Sequence, residues 1–261
     1  MVLDTIVCIK QVPDMEEIYE QDRNQIGRTE ISLVVNPLDY YALSIALRLK
    51  KTYGGTVRTL SMGPSKCEKS LMSTMFVGVD ESILITGDEF AGADTYATAY
   101  TLANAIRNLK NYNLIITGNK SIDGDTGQVG AGIAEFLNVS NVTNVSKILQ
   151  INDKSICVRK KTEQEYFDVE LPIPAVLSVT EDICEMIYPN INDIISSRKR
   201  EVFCWGINDF DVVEEKVGSR GSKTMVAGAY KESNLKNCVV DYNKQKDTVK
   251  IVFQEIVKGI I

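Results

Sequence analysis

The fold class is most clearly indicated by Asn113-Leu-Ile-Ile-Thr-Gly-Asn-Lys-Ser-Ile-Asp-Gly-Asp-Thr-Gly-Gln-Val-Gly130, where an apolar run leads through a polar turn into a helix. The apolar run is typical of a buried strand and ends at Gly118, and the helix is predicted to begin near Thr126, whose hydroxyl can cap it. Nucleotides bind α/β proteins where the carboxyl end of a strand meets the amino end of a helix. Free N–H groups in a first helical turn attract phosphate, and glycines let a ligand approach the backbone. The glycines of this turn are Gly124, Gly127 and Gly130.

A nucleotide site and a simple capped turn both remain open for this stretch. It contains neither the Gly-x-x-x-x-Gly-Lys-Ser/Thr loop nor the Gly-x-Gly-x-x-Gly pattern that follows a strand. Asp123 and Asp125 resemble the start of a calcium loop, but that loop needs an oxygen ligand at position 127 and a glutamate at position 134. Those positions hold glycine and alanine, so we predict no calcium site.

The composition is that of an ordinary globular protein, with 261 residues, 44% of them hydrophobic and 25% charged. The formal net charge of −6 argues against nucleic acid as the main partner. No apolar run approaches the roughly 18 residues that a membrane span needs. The amino terminus lacks the basic and apolar regions of an export signal, so we expect a cytoplasmic protein.

The cysteine and histidine counts restrict the chemistry. Six cysteines are scattered without a Cys-x-x-Cys pair, which predicts free thiols in a reducing compartment and no metal centre. The chain has no histidine, which removes the usual general base and the histidine-dependent triads. We therefore assign no catalytic residue and expect a bound cofactor to supply the chemistry.

The first half of the chain alternates strands and helices, which predicts a doubly wound, mostly parallel sheet with helices on both faces. The predicted strands are Asp4–Gln11, Thr56–Met62, Ser82–Thr86 and Leu114–Thr117. The predicted helices are Pro37–Tyr53, Ser65–Phe76, Asp94–Leu109 and Thr126–Leu137. Ligands are expected at the carboxyl edge of this sheet. The loops there are Lys10–Asp14, Met62–Ser65, Gly87–Thr95 and Gly118–Thr126.

The pattern changes near Val142 and predicts a small antiparallel extension. Its predicted strands are Ser155–Lys161 and Glu165–Leu171, followed by a short strand at Ala175–Val179 and an irregular stretch from Cys184 to Arg200. We expect an α/β domain over residues 1–205 and a carboxyl-terminal arm over residues 206–261. The arm is polar except at Thr248–Val257, which is too apolar for a free tail and is expected to lie on a partner.

Five segments in order resemble the β (small) subunit of electron transfer flavoproteins. They are Val7-Cys-Ile-Lys-Gln-Val-Pro-Asp14, Asn36-Pro-Leu-Asp39, Ser61-Met-Gly-Pro64, Ala93-Asp-Thr-Tyr-Ala-Thr98 and Asp123-Gly-Asp-Thr-Gly-Gln-Val-Gly130. The resemblance covers residues 1–205 and continues weakly through residues 217–224. It implies a flavodoxin-like or adenine-nucleotide-hydrolase-like domain whose carboxyl-terminal arm wraps an α subunit that carries a redox-active FAD. It also implies a redox flavoprotein subunit that passes electrons between a dehydrogenase and an acceptor.

Two branches of that family differ in the nucleotide of the β subunit. In the simple branch the site holds a structural AMP, beside the pattern Asp-Asp-Asp-Cys-Asn-Gln-Thr-Gly. In the electron-bifurcating branch it holds a second FAD that accepts a hydride from NADH, and its loop reads Asp-Gly-Asp-Thr-x-Gln-Val-Gly, as here at residues 123–130. The resemblance therefore favours FAD, with AMP as the alternative. It also implies that electrons pass to a low-potential ferredoxin or flavodoxin and, through the α-subunit FAD, to a partner dehydrogenase.

A third hypothesis is a free-standing adenine-nucleotide-binding or ATP-hydrolysing domain of similar fold. Such a domain would need a phosphate-binding glycine loop and a self-contained carboxyl-terminal region. We find neither feature in the sequence.

The resemblance also implies a set of cofactor-binding residues. They are Cys8, Lys10, Asn36, Asp39, Met62, Asp94, Thr95, Thr98, Gly118, Ile122, Asp123, Gly124, Thr126, Gly127, Gln128 and Val129. Those of the first strand would meet adenine or ribose, those at 94–98 would approach the flavin, and those at 118–129 would wrap the adenosine and pyrophosphate. Taken singly, several also fit plain structural roles, such as a helix start at Asn36-Pro37.

The partner-recognition loop of the family corresponds to Cys184-Glu-Met-Ile-Tyr-Pro-Asn-Ile191. The family often reads Asn-Glu-Pro-Arg-Tyr-Pro-Ser-Leu there, so this chain has lost the Asn, Pro and Arg and has Ile in place of Leu. The resemblance implies that Tyr188, Ile191 and Ile194 bind a partner dehydrogenase, with Ile191 as the anchor. The departures lead us to expect a partner other than the usual acyl-CoA dehydrogenase.

Overall fold

A nine-stranded sheet runs through the part of the chain that the computed structural model describes, which is residues 2–17, 31–197 and 200–225. Its strand order is β11-β5-β4-β1-β6-β10-β7-β8-β9, and a separate two-stranded sheet pairs β2 with β3. The strands are β1 Thr5–Cys8, β2 Gln11–Pro13, β3 Leu33–Val35, β4 Val57–Met62, β5 Glu81–Ile85, β6 Leu114–Gly118, β7 Ser140–Ile151, β8 Ser155–Lys161, β9 Tyr166–Pro172, β10 Ala175–Val179 and β11 Phe203–Trp205. Neighbours from β11 to β7 are parallel, whereas β8 and β9 continue the sheet antiparallel. The predicted mostly parallel α/β fold with a small antiparallel extension is confirmed.

Helices cover both faces of this sheet. They are α1 Pro37–Tyr53, α2 Glu68–Met75, α3 Thr95–Leu109, α4 Val129–Leu137, α5 Ile191–Ser197 and α6 Gly218–Gly221, with short 3-10 turns at Ser65–Cys67, Asp88–Phe90, Glu181–Ile183 and Glu214–Lys216. Helices α1 and α2 pack into one hydrophobic cluster, and α3 and α4 pack into the other. Within β1, Val7 joins the first cluster while Ile6 and Cys8 join the second, because successive side chains of a strand point to opposite faces.

Helix α1 begins and ends where the sequence predicts. Pro37 stands at its first position, where the missing N–H costs nothing, and the helix ends before Gly54, which has a φ of 75°. The apolar stripe of the helix includes Ala42, Leu43 and Ala46, all at most 1% exposed. Pro37 at the start, Gly54 at the end and the buried apolar stripe therefore agree on the extent of this helix.

The predicted strand Asp4–Gln11 is wrong at its carboxyl end. Strand β1 stops at Cys8, and Gln11 belongs to β2, which pairs antiparallel with β3. The reason is local, because the backbone N–H of Lys10 donates to the carboxylate of Asp39 rather than to a neighbouring strand. The chain thus leaves the main sheet at the loop where a ligand is expected.

The predicted start of the helix after Gly118 is also wrong. Helix α4 begins at Val129, so the predicted cap Thr126 lies outside it and the preceding residue is Gln128. Asp125 and Gly127 have φ values of 50° and 60°, which a right-handed helix cannot contain. The turn is therefore longer than the helical pattern indicated.

Strands β3, β7 and β11 and helices α5 and α6 were not predicted. Strand β7 is rich in Ser, Asn, Thr and Lys, and it joins the antiparallel extension directly to the parallel sheet through β10. Strand β11 adds an edge beside β5. Helix α5 lies in the stretch that was expected to be irregular. These short or polar elements form because the neighbouring strands and helices supply their partners.

The described residues all belong to one compact unit that spans Met1–Met225. Within it, Phe210 and Val217 are buried against the α3 and α4 face of the sheet, so the chain stays with this unit beyond residue 205. The predicted arm around an α subunit stays a prediction, and the apolar stretch 248–257 lies outside the described residues. No helix in the described ranges is long and apolar enough to cross a membrane.

Candidate nucleotide site at the carboxyl edge of the sheet

The candidate site lies where the strand order reverses. From β1 the chain goes to β4 on one side, and it later returns through β6 on the other side of β1. The loops after β1 and β6 therefore leave the sheet next to each other while their connections lead to opposite faces. Such a switch point forms a crevice at the carboxyl edge, the common ligand position in open α/β sheets.

The carboxylate of Asp39 holds the two sides of this crevice together. Its Oδ2 accepts the N–H of Lys10 at 2.8 Å, and its Oδ1 accepts the N–H of Gly118 at 3.1 Å. Asp39 itself is only 5% exposed, and both bonds are partly buried. A Cβ atom on residue 118 would lie 2.4 Å from Oδ1, so only glycine allows the carboxylate to come this close. One side chain of α1 thus fixes the ends of β1 and β6.

Burial is the main cause of the shifted pKa values of Asp39 and Cys8, which lie beneath the crevice. It raises the pKa of Asp39 to about 7, although hydrogen bonds from the backbone of Lys10 and Gly118 oppose the shift. It also raises the pKa of Cys8 to about 12, with the Asp39 charge adding to the effect. The Cys8 thiol is therefore neutral at physiological pH and is a core side chain rather than a nucleophile.

Asn36 fixes the loop that follows β6. Its side-chain Nδ2 donates to the carbonyl of Lys120 at 3.0 Å, and its Oδ1 accepts the N–H of Ile122 at 3.2 Å. Its own N–H donates to the carbonyl of Lys10 at 2.8 Å. Because Asn36 is 1% exposed, it positions both loops from beneath the surface.

Two ion pairs line the outer part of the same loop. Lys10 Nζ lies 2.7 Å from Asp123 Oδ1, and Lys120 Nζ lies 2.6 Å from Asp125 Oδ1. The second pair is largely exposed, so it adds little to stability. Burial raises the pKa of Asp123, but the hydrogen bonds of Lys10 and Ser121 outweigh it and hold the pKa below its usual value. Asp123 is therefore an anion bonded to Lys10.

The start of α4 carries no side-chain cap. Among the described residues, no acceptor binds the N–H groups of Val129, Gly130 and Ala131, and Gln128 makes no side-chain cap. A Cβ atom at Gly130 would lie 2.5 Å from Ser178 Oγ, so the glycine lets the helix start pack tightly on the sheet. Free N–H groups at the positive end of a helix fit a phosphate. The start of α4 therefore has N–H donors of the kind that bind phosphate in other proteins.

The start of α3, in contrast to that of α4, is capped by a side chain. The carboxylate of Asp94 caps it by accepting the N–H of Ala97 at 2.9 Å. The same carboxylate accepts hydrogen bonds from Lys223 and Thr224. Burial raises the pKa of Asp94, but these bonds outweigh it and leave the pKa below its usual value. The start of α3 is thus already capped by a carboxylate of the chain itself.

The sequence-predicted site residues all lie at this carboxyl edge, but they make two separate sets of contacts. The first set surrounds the switch point and comprises Lys10, Asn36, Asp39, Gly118, Ile122 and Asp123. The second joins Thr95 Oγ1 to Gln128 Oε1 at 3.0 Å. Thr98 makes no side-chain hydrogen bond within the described ranges, and Met62 packs against the core of the α3 and α4 face. Gly124 and Thr126 lie exposed on the loop.

Several residues of the site were not found by sequence reasoning. Lys120 and Ser121 contact the ion pairs of the loop, and residues 222–224 bond to Asp94. Two buried polar atoms near the crevice, Gln11 Nε2 and Asn119 Oδ1, have no hydrogen-bond partner in the described part of the chain. The weak similarity at 217–224 was the signal available for residues 222–224, and the unpartnered amides become visible only in three dimensions.

The predicted partner-binding residues differ in exposure. Tyr188 and Ile191 are 77% and 73% exposed, whereas Ile194 is half-buried. Ile195, which the sequence did not single out, is 59% exposed and lies on the same helix α5. Three large hydrophobic side chains thus lie exposed within eight residues of sequence, which is typical of an interaction surface.

Known proteins resemble this chain along most of its length. The family model of the electron transfer flavoprotein domain matches residues 24–203. The electron transfer flavoprotein subunit beta of Clostridium acetobutylicum is 36% identical over 225 residues, 86% of either chain. Protein FixA of Azotobacter vinelandii is 36% identical over 236 residues, 87% of this chain and 84% of that protein. Subunit CarD of the caffeyl-CoA reductase–Etf complex of Acetobacterium woodii is 34% identical over 223 residues, 85% of either chain.

Replacing Asp39 with asparagine is expected to flatten the pH dependence of stability. In the folded chain this carboxyl keeps its proton up to about pH 7, against an ordinary value of 3.8. Its stabilising contribution is therefore complete below the lower value and is lost as the pH rises to about 7, because the folded state binds the extra proton between them. The Asp39→Asn variant should lose a slope of up to about 1.4 kcal/mol per pH unit, the value of one proton.

The measurement is urea unfolding at several pH values between 4 and 8, roughly the range over which the proton is lost. Asp153→Asn is a suitable control, since Asp153 is exposed in the β7–β8 turn and has no side-chain hydrogen bond among the described residues. Equal slopes in wild type and Asp39→Asn would contradict the assignment.

Proposed function

This chain belongs to the electron transfer flavoprotein family, and we propose that it is a β subunit that binds FAD at the switch-point crevice for NADH-driven electron bifurcation. The uncapped start of α4 is the observation that carries the proposal, because its free N–H groups match a pyrophosphate. The chemistry that FAD supplies when bound is acceptance of a hydride and release of the two electrons singly. The residues of this chain bind and orient the nucleotide.

The donors and acceptors of the crevice fit a dinucleotide. The N–H groups of Val129, Gly130 and Ala131 would hold the phosphates. Asp123 is an anion, so it would accept hydrogen bonds from hydroxyls and would repel phosphate. Asn36 and Asp39 use their side chains to hold the loops, so we assign them to positioning rather than to direct contact.

The absence of histidine agrees with this division of roles. Across all 261 residues no imidazole is available to take up or donate the proton of a substrate. Among the described residues, no cluster of Cys, Asp and Glu could hold a metal ion. The proposal therefore assigns the chain to binding, and it assigns electron chemistry to the nucleotide.

A structural AMP is the second candidate for the same crevice, and one observation favours it. The resemblance implies that Asp94 approaches the flavin, yet both oxygens of its carboxylate are occupied by Ala97 and by residues 223–224. A nucleotide that stays at the start of α4 needs nothing from Asp94. AMP would fill that position with a single phosphate and make the chain a simple electron-transfer subunit.

Partners follow from the same proposal. We assign the chain to a heterodimer with an α subunit. This heterodimer would transfer electrons to a partner dehydrogenase and to a low-potential ferredoxin or flavodoxin. The name of CarD places that relative in a reductase complex, which supports an assembly of this kind. The exposed side chains of Tyr188 and Ile191 are the surface that we assign to the dehydrogenase.

The nucleotide content of the heterodimer separates the two candidates. We expect two FAD and no AMP per heterodimer after denaturation, because the crevice offers the donors for a pyrophosphate. The measurement is chromatography of the released nucleotides. One FAD and one AMP would contradict bifurcation and leave a simple electron shuttle.

Replacing Gln128 with glutamate tests the position of the phosphates. The new carboxylate can still accept from Thr95, and a negative charge at a helix start does not destabilise it. It would, however, repel a phosphate, so the affinity for the β-subunit nucleotide should fall about ten-fold or more while the melting temperature is kept.

The matched control is Gln150→Glu, the same change at an exposed position of β7. It should leave the nucleotide content unchanged. Normal binding by Gln128→Glu would place the phosphates elsewhere.

Truncating Ile191 to alanine should slow electron transfer to the partner dehydrogenase. Ile191 is 73% exposed, so the change should leave folding intact while it removes an apolar anchor worth about 2 kcal/mol or more. The measurement is the rate of dehydrogenase-dependent electron transfer, with Leu149→Ala on β7 as the control for loss of an exposed aliphatic side chain. An unchanged rate for Ile191→Ala would exclude it as the anchor.

A further inference from the structure

Residues 217–224, here called the strap, fit closely against the loop that precedes α3. Val217 is buried, and the N–H of Ser219 donates to the carbonyl of Ala91 at 2.8 Å. Gly218 has a φ of 56°, and a Cβ atom there would lie 2.0 Å from the carbonyl oxygen of Glu89. The backbone of the strap thus packs directly on the backbone of residues 89–91, which defines the position of the strap on this loop.

Asp94 fastens the end of the strap to the start of α3. Its Oδ2 accepts the N–H of Lys223 at 2.7 Å, the N–H of Thr224 at 2.9 Å and the hydroxyl of Thr224 at 3.0 Å. Its N–H donates to Ser222 Oγ at 2.8 Å. Its other oxygen remains on Ala97 as the helix cap. Hydrogen bonds to a charged acceptor are stronger than neutral ones, so this carboxylate is the main fastening.

An aromatic contact extends the fastening to α4. The ammonium of Lys223 lies 5.2 Å from the centre of the Tyr96 ring, and Tyr96 packs edge-on against Phe136 of α4 at 5.3 Å. The two helices approach closely, since a Cβ atom at Gly132 would lie 2.7 Å from Ala99 Cβ. This close packing leaves α3 and α4 little room to move independently, and the start of α4 borders the crevice.

A hydrogen bond completes the connection to the nucleotide loop. Thr95, the residue after Asp94, donates from Oγ1 to Oε1 of Gln128 at 3.0 Å. Gln128 immediately precedes the free N–H groups at the start of α4. The strap, the start of α3 and the start of α4 thus form one continuous set of contacts.

From this geometry we propose that Asp94 is a positioning residue that couples the docked strap to the nucleotide crevice. This inference rests on the proposed function, since it assigns a form of regulation to the same site. Docking of the strap holds α3, and α3 holds the start of α4 in the position that binds phosphate. Coupling between two sites is reciprocal, so a bound nucleotide also holds the strap in place.

The test uses Asp94→Asn in the heterodimer with the α subunit, after removal of the β-subunit nucleotide by dialysis. Asparagine caps a helix as well as aspartate does, so its oxygen can stay on Ala97 while its NH₂ group faces the donors of the strap. Hydrogen exchange at residues 223–224 should become about ten-fold faster or more, because charge-assisted bonds are lost. The Kd for FAD should rise about five-fold or more.

Wild type supplies the reciprocal measurement, because saturating FAD should slow exchange at residues 223–224. The control is Asp211→Asn, which removes an exposed charge ahead of the strap with no side-chain hydrogen bond among the described residues, and it should change neither readout. Faster exchange without loss of FAD affinity would reduce the strap to a structural role and overturn the coupling. Unchanged exchange would overturn the fastening itself.

The two proposals fail in different ways. If wild type binds AMP instead of FAD, the same linkage is measured with AMP and the coupling is still tested. If wild type binds neither nucleotide, the proposed function is wrong and the coupling falls with it.

Discussion

The bond between the Asp39 carboxylate and the N–H groups of Lys10 and Gly118 is the interaction on which this site depends. It joins the ends of the two strands between which the strand order reverses, and it does so from the first turn of α1. A buried carboxylate is costly, and the raised pKa of Asp39 expresses that cost. The carboxylate is tolerated because it accepts hydrogen bonds from two backbone N–H groups that the diverging loops leave without strand partners.

Charged side chains and helix dipoles distinguish the loops at the carboxyl edge of the sheet. The two helices that start at the carboxyl edge present the same kind of positive end, yet Asp94 neutralises the start of α3 and nothing in the described chain neutralises the start of α4. Lys10 and Lys120 are held by aspartates of the loop itself, which limits the net charge around the opening. Among the described residues the start of α4 is thus left uncapped, whereas the start of α3 is capped by the carboxylate that also bonds to the strap.

Hydrophobic periodicity and helix-end residues predicted the elements whose conformation is decided by local sequence rather than by packing partners. Helix α1 was correct at both ends because an amphipathic stripe, Pro37 and Gly54 all act locally. The polar strand β7 was missed, since its pairing with β10 and β8 decides its conformation. The start of α4 was misplaced because Asp125 and Gly127 adopt left-handed conformations, which the helical pattern of Val129 and Ile133 does not reveal.

The sequence by itself determined the α/β class, the family and the edge of the sheet at which the candidate site residues lie. Those properties depend on strand and helix periodicity and on motifs that are contiguous in the chain. Only the tertiary structure decided which polar groups have partners. Asp39 and Asn36 hold loops and Asp94 holds the strap, while no group in the described ranges accepts the N–H groups at the start of α4. Hydrogen bonding is settled by distances of about 3 Å between groups far apart in sequence, and no local pattern specifies those distances.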